Sequence, residues 1–159
     1  SWASAEMAPR PHRINATLRQ CMGSSILVIR LACLVLVSAT AARGAVEVRT
    51  LQVDGIERRY LIALPRAAKV PTPTVLVFPG AGGTAESARR LGLEPHADRR
   101  GLILVYAQGV RRNWSGERDL AYVRAVIEDV ARRDRADPRR VFATGMSDGG
   151  FFVGALACK

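Results

Sequence analysis

Beyond residue 45 the chain alternates between two hydrophobic periods. Val46 to Val53 and Ile56 to Leu64 are β-branched, alternating stretches, and Asp54-Gly55 between them supplies the positive φ of a tight hairpin turn. This predicts an antiparallel entry pair. A proline-containing loop over 65–73 leads into Thr74-Val75-Leu76-Val77-Phe78, a continuous apolar run of the kind buried on both faces of a parallel sheet. Residues 86–100 then place Ala88, Leu91, Leu93 and Ala97 among charges and predict one surface helix, weakened by Gly92 and Pro95 and ended by Gly101.

Leu102 to Tyr106 is a second buried strand. Asp119 to Arg133 carries Leu120, Val123, Val126, Ile127 and Val130 at three- and four-residue steps, the cleanest amphipathic helix in the chain. Asp137-Pro138 is expected to stop it before a third strand over Arg140 to Thr144. Strand, helix, strand, helix, strand in short succession argues for crossover units on a mostly parallel sheet, an α/β fold with an antiparallel hairpin at its entry.

The start of the chain has a different pattern. Ile26 to Thr40 is apolar apart from Arg30 and small polar residues, which is short of the roughly 20 residues a membrane-spanning helix requires. Residues 22–44 read as a signal peptide, with Arg30 as the positive edge, Leu31 to Val37 as the apolar stretch and Ala39-Thr40-Ala41 as an A-x-A cleavage site. A second possible site is Ala42-Arg43-Gly44, and the alternative to a leader is a buried helix of the fold. Residues 1–21 show no periodicity, and with Met22 as the start they read as unstructured or as an over-extended reading frame. A secreted product, extracellular or periplasmic, and no stable membrane span are expected.

The full 159-residue chain is 48% hydrophobic, as expected of one domain burying a core, and its formal charge is +10. The cations are nearly all arginine. They are spread along the chain in pairs such as Arg58-Arg59 and Arg139-Arg140, often beside Asp or Glu, which predicts a solvated surface rather than a nucleic-acid-binding stripe. Cys21, Cys33 and Cys158 have no Cys-x-x-Cys spacing, and no metal-ligand cluster is present in the sequence. No metal or cofactor is expected, and oligomeric state is not readable.

The third strand runs directly into Gly145-Met146-Ser147-Asp148-Gly149-Gly150 and then into the small, apolar start of a helix. This is G-x-S-x-G between a strand and a helix, where the turn is so tight that the residues flanking the serine must lack side chains. Ser147 is therefore the candidate nucleophile and Gly145 and Gly149 the elbow that presents it. The alternative is a glycine-rich loop that merely reverses the chain. The N–H of the residue after the nucleophile points at the developing oxyanion, which assigns that role to the backbone of Asp148, its carboxylate being expected to stabilise the start of the helix. A second oxyanion donor is expected from the glycine-rich Phe78 to Gly83 loop, with Ala81 and Gly82 as candidates. The competing reading of that loop is a simple glycine turn.

These pieces together resemble the polyhydroxybutyrate depolymerase and feruloyl esterase group of α/β-hydrolases, secreted bacterial or fungal serine esterases. The matching segments are Pro79 to Gly83, Gly101 to Gly109, Trp114, Asp119-Leu120 and Asp137 to Gly150, within a span of about residues 50–158. Pro79 stands where the group has a histidine, and Ala107 where it has a proline. The resemblance implies an ester hydrolase acting through a Ser147 acyl-enzyme on a polymeric or small ester, either a polyhydroxyalkanoate or a feruloyl or acetyl ester. A serine peptidase on the same fold and a non-catalytic relative are the alternatives.

A serine hydrolase of this kind needs an orienting acid and a histidine base that follow the serine in the chain. Twelve residues follow Ser147, and none is histidine. Residues 45–159 are accordingly expected to be the N-terminal part of an α/β-hydrolase domain lacking its C-terminal half, with the third strand left as an unpaired apolar edge. His96, on the helix before the second buried strand, is expected to be a surface histidine, not a recruited base.

Overall fold

The computed structural model describes residues 44–158. The expected N-terminal extension over 1–21 lies outside them, as does the expected leader apart from Gly44. β1 (Val46–Val53) and β2 (Ile56–Ala63) form the entry hairpin, with Val46 opposite Ala63 and Val53 opposite Ile56. Asp54 and Gly55 close it at φ of 51° and 74°, the two left-handed residues that a type I′ turn requires.

After the hairpin come β3 (Thr72–Phe78), α1 (Ala85–Arg89), α2 (Glu94–Arg100), β4 (Ile103–Ala107), a 3₁₀ turn over Val110–Arg112, α3 (Gly116–Asp134), β5 (Ala136–Gly145) and α4 (Asp148–Ala157). The single helix expected over 86–100 is two. Thr84 caps α1 in a reciprocal pair with Ser87, Gly92 turns the chain at φ 67°, and Pro95 sits in the first turn of α2. Proline lacks the N–H that this position leaves unpaired anyway, so it starts a helix here instead of weakening one. The helix expected over Asp119 to Arg133 starts three residues earlier and ends one later, at Asp134, with Arg135 in the left-handed conformation as its cap, and β5 takes in Asp137-Pro138, expected to lie before the strand, with a register shift against β3.

The five strands lie in the order β1-β2-β4-β3-β5. β2 runs antiparallel to its two neighbours β1 and β4, while β3 runs parallel to both β4 and β5. Because β4 and β5 flank β3 on opposite sides, two crossovers of the same hand place their helices on opposite faces. Strand alternation supplies both faces with apolar side chains. Tyr60, Ile62, Leu76, Phe78, Ile103 and Val105 meet Tyr122, Val126 and Val130 of α3 and Phe152 of α4 on one face. Leu61, Val77, Leu104 and Tyr106 meet Ala85, Ala88 and Ala97 of α1 and α2 on the other.

Among the described residues, several arginines are committed within the fold. Arg49 grips Asp134 through two hydrogen bonds of 2.6 and 3.0 Å. Arg58 is buried, pairs with the buried Asp119 at 2.6 Å and lies 3.9 Å over the Tyr122 ring. β5 forms one edge of the sheet, and Phe142 there is 56% exposed. Among the described residues no helix is long and apolar enough to cross a membrane.

Candidate active site

The C-terminal ends of β3 and β5 lie side by side, with Val77 paired to Thr144 and Phe78 to Gly145. The chain leaves β3 toward the face covered by α1 and leaves β5 toward the face covered by α4, so the crevice between the two ends is a topological switch point. Ser147 stands there, solvent-exposed, between the last residue of β5 and the first of α4.

Its backbone has φ 51° and ψ −120°, a strained conformation for a residue with a side chain, costing about 1–3 kcal/mol. Three hydrogen bonds hold it: Met146 N–H to Phe78 C=O at 3.1 Å, Gly149 N–H to Met146 C=O at 3.0 Å, and Phe151 N–H to Ser147 C=O at 3.0 Å. The elbow is also enforced by volume. A methyl group at Gly145 would lie 2.5 Å from the carbonyl of Gly149, and one at Gly149 would lie 2.3 Å from the Phe78 carbonyl oxygen. Neither position admits a side chain without moving backbone.

The Asp148 amide opens α4 and makes no hydrogen bond among the described residues. It is thus available to an anion, in the positive field of the helix N-terminus. Its carboxylate stands in the first turn of α4, where negative charge favours the helix, and it also accepts the Trp114 backbone N–H at 3.1 Å.

The Phe78 to Gly83 loop is ordered by a turn in which Gly83 N–H donates to Gly80 C=O at 2.9 Å and Gly82 has φ 74°. A positive φ at the third position is the mark of a type II turn and favours glycine there. The turn brings Gly80 against the elbow: a methyl on it would be 3.3 Å from Ser147 Cβ. Of the two candidate donors, Gly82 is not free, because its N–H donates to Arg112 C=O at 2.7 Å. In this conformation Gly82 is corrected from oxyanion donor to anchor of the turn. The Ala81 N–H is uncommitted among the described residues.

One contributor escaped the sequence reading, which noted Trp114 only as a matching piece of a resemblance. Its ring stacks on Phe152 at 5.0 Å and meets Phe78 edge-on at 5.0 Å, and its indole N–H donates to Pro79 C=O at 2.7 Å. The loop carrying Trp114 is fixed at both ends. Arg58 donates to Gln108 C=O at 3.2 Å, and Asp119 accepts the Ser115 N–H at 2.7 Å. Tyr122, whose hydroxyl is pushed up to about 12 by burial and so stays protonated, donates to Arg59 C=O at 2.7 Å beside them. A Trp in a coil segment carries no periodic signal that would have marked it.

The Ser147 hydroxyl has no hydrogen-bond partner among the described residues. His96 is exposed on α2, on the far face of the sheet from α4, with Arg99 3.0 Å from its Nδ1. The structure does not bring it to Ser147. No group of three or more His, Cys, Asp or Glu able to hold a metal occurs among the described residues, and Cys158 is an exposed free thiol.

A curated protein named "Putative esterase NocK", from Nocardia uniformis subsp. tsuyamanensis, is 36% identical over 126 residues, covering 70% of this chain and 37% of that protein. Among solved structures, S-formylglutathione hydrolase from Agrobacterium tumefaciens superposes with a TM-score of 0.58 at 22% identity, covering 72% of this chain and 53% of that one. FphF, a fluorophosphonate-binding serine hydrolase of Staphylococcus aureus, gives 0.59 at 17% identity, with coverages of 69% and 49%. Acetyl xylan esterase from Aspergillus awamori gives 0.57 at 15% identity, with coverages of 70% and 46%. No family model matches the chain. The chain therefore spans 37% of the length of the curated relative and about half of each of these structures. The chain shares its fold, a mixed sheet with an antiparallel entry and helices on both faces, with these hydrolase and esterase structures.

Proposed function

We propose that the chain is part of a secreted carboxylic-ester hydrolase in which Ser147 forms the acyl-enzyme. The observation that carries this reading is the exposed Ser147 at φ 51° on a strand-to-helix turn whose flanking positions exclude any side chain. Strain of this kind persists only where the surroundings over-determine it, and here it lifts a hydroxyl clear of the sheet. The esterase name of the curated relative supports the ester as substrate.

In the proposed reaction the Ser147 Oγ attacks the ester carbonyl carbon while a base takes its proton. The negative charge that develops on the carbonyl oxygen is met by the Asp148 and Ala81 amides and by the N-terminal end of α4. The alcohol leaves with the proton, and water then releases the acid from the acyl-enzyme. The candidate substrates are polyhydroxyalkanoates and feruloyl or acetyl esters, on the resemblance of Asp137 to Gly150 to that group of enzymes. The apolar stretch ending in Ala39-Thr40-Ala41 is proposed to direct export.

No histidine follows Ser147, so the 159 residues alone are proposed to turn esters over poorly. The test is hydrolysis of p-nitrophenyl acetate by the purified chain beside its Ser147→Ala variant. A rate at the buffer background is expected for both. Robust turnover lost in the variant would uphold the nucleophile and overturn the proposed inactivity, whereas robust turnover retained in it would remove Ser147 from the chemistry.

A further inference from the structure

We propose that Trp114 is the positioning residue that sets the two oxyanion donors in register with each other, an inference that rests on reading Ser147 as the nucleophile. The donors lie on different strand ends, Ala81 after β3 and Asp148 after β5; strand pairing joins those ends at Phe78 and Gly145, and beyond that pairing the loop with Ala81 departs from the sheet. Trp114 touches both sides. Its indole N–H holds the Pro79 carbonyl at 2.7 Å, two residues before Ala81, and its backbone N–H holds the Asp148 carboxylate at 3.1 Å. Its ring packs against both Phe78, the last residue of β3, and Phe152 of α4, which also meet each other edge-on at 5.3 Å.

The same loop makes a second tie, from Arg112 C=O to the Gly82 N–H at 2.7 Å. Gly80 and Ala81 are thereby bracketed between two hydrogen bonds, at Pro79 and at Gly82, both made by a segment more than 25 residues away in sequence. A side chain present only to fill the core would need no donor here. Phenylalanine would supply much the same aromatic contact, yet the indole N–H is spent on the one carbonyl from which the turn departs. Donor placement to within about 0.5 Å decides whether such a pocket works, so a tie between its halves bears on rate and not merely on stability.

The test is Trp114→Phe, which keeps an aromatic ring and removes the N–H. Two measurements are made on the full chain: the rate constant and end-point for modification of Ser147 by a fluorophosphonate, with Ser147→Ala as the blank, and the nuclear Overhauser contact between Gly80 Hα and Ser147 Hβ together with hydrogen exchange of the Gly82 amide. The variant is expected to react roughly tenfold more slowly to the same end-point, with the contact weakened and the amide less protected. A purely structural role would instead lower the end-point and the melting temperature while leaving the rate constant of the folded molecules unchanged, and that result overturns the proposal. If the parent chain does not react at all, the low activity proposed for these 159 residues alone accounts for it, and the rate constant bears on neither residue. The Trp114 assignment is then decided by resonance data alone, and an unchanged contact and unchanged Gly82 protection sink it.

Discussion

The two segments that form the crevice, the elbow at 145–149 and the turn at 80–83, are both glycine-rich and both end a parallel strand, yet they are held in opposite ways. The elbow is held by contact within itself and with the adjacent strand end. Gly145 and Gly149 are so close that neither admits a methyl, and the hydrogen bonds at Met146 and Phe151 stay within the strand pair and the helix. The turn has room at its tip, where a Cβ at Gly82 would meet nothing within 4 Å, although one at Gly83 would lie 2.8 Å from the Gly80 carbonyl oxygen. Its shape is instead imposed by Arg112 and Trp114 from a loop that is itself anchored by Asp119. A motif enforced by volume is written in adjacent residues, whereas one enforced by tethers is written elsewhere.

That contrast can be broken most severely at the anchor. Asp119→Ala should cost about 4 kcal/mol, because it leaves the buried Arg58 guanidinium unpaired and frees Ser115 at the base of the Trp114 loop. Urea unfolding measures it; a loss under 1 kcal/mol would mean the ion pair does not anchor that loop. Gly149→Ala should cost about 3 kcal/mol by overpacking against the Phe78 carbonyl. Equal stability to the parent would show that the elbow is not sterically enforced.

Gly82→Ala sharpens the difference, since its penalty is conformational and not steric. With φ at 74° and open space around it, the expected loss is about 1 kcal/mol by the same unfolding assay. A loss as large as that of Gly149→Ala would erase the distinction between the two segments. Ser147→Gly acts in the other direction. Relief of the left-handed strain should raise stability by roughly 1 kcal/mol while removing the hydroxyl, and a destabilised variant would show that the serine is not strained.

The smallest effect expected lies away from both segments. The half-buried Asp98 carboxyl is held below its ordinary value of 3.8 by hydrogen bonds from the Arg66 side chain and backbone. A lowered folded-state value means that the unfolded chain binds the proton more readily. The stabilisation is therefore complete above about pH 4 and disappears as pH falls through the folded-state value. The melting temperatures of the parent and Asp98→Asn should differ slightly at pH 6 and converge toward pH 2; a gap that widens on acidification would contradict the assignment.

How much could be read without coordinates follows the same division. The hairpin turn at Asp54-Gly55, the buried runs of β3 and β4 and the amphipathic α3 rest on residues adjacent in sequence or one turn apart, and all three are present. The steric demand at Gly145 and Gly149 was equally local. The misreadings were at boundaries. The break between α1 and α2 was lost because apolar spacing continues through Gly92, and Pro95 was taken as a weakness although it occupies the first turn of a new helix.

Composition and period alone determined an α/β chain with an antiparallel entry, and the spacing of two glycines about Ser147 determined a tight strand-to-helix turn. Only the tertiary structure decided that β5 lies beside β3 and not beside β4, that Gly82 gives its N–H to Arg112, and that Trp114 spans the two strand ends. The physical reason is range. Backbone sterics and hydrophobic period act over a few residues and leave a local pattern, while a hydrogen bond between loops depends on where strand order and crossover hand deliver them.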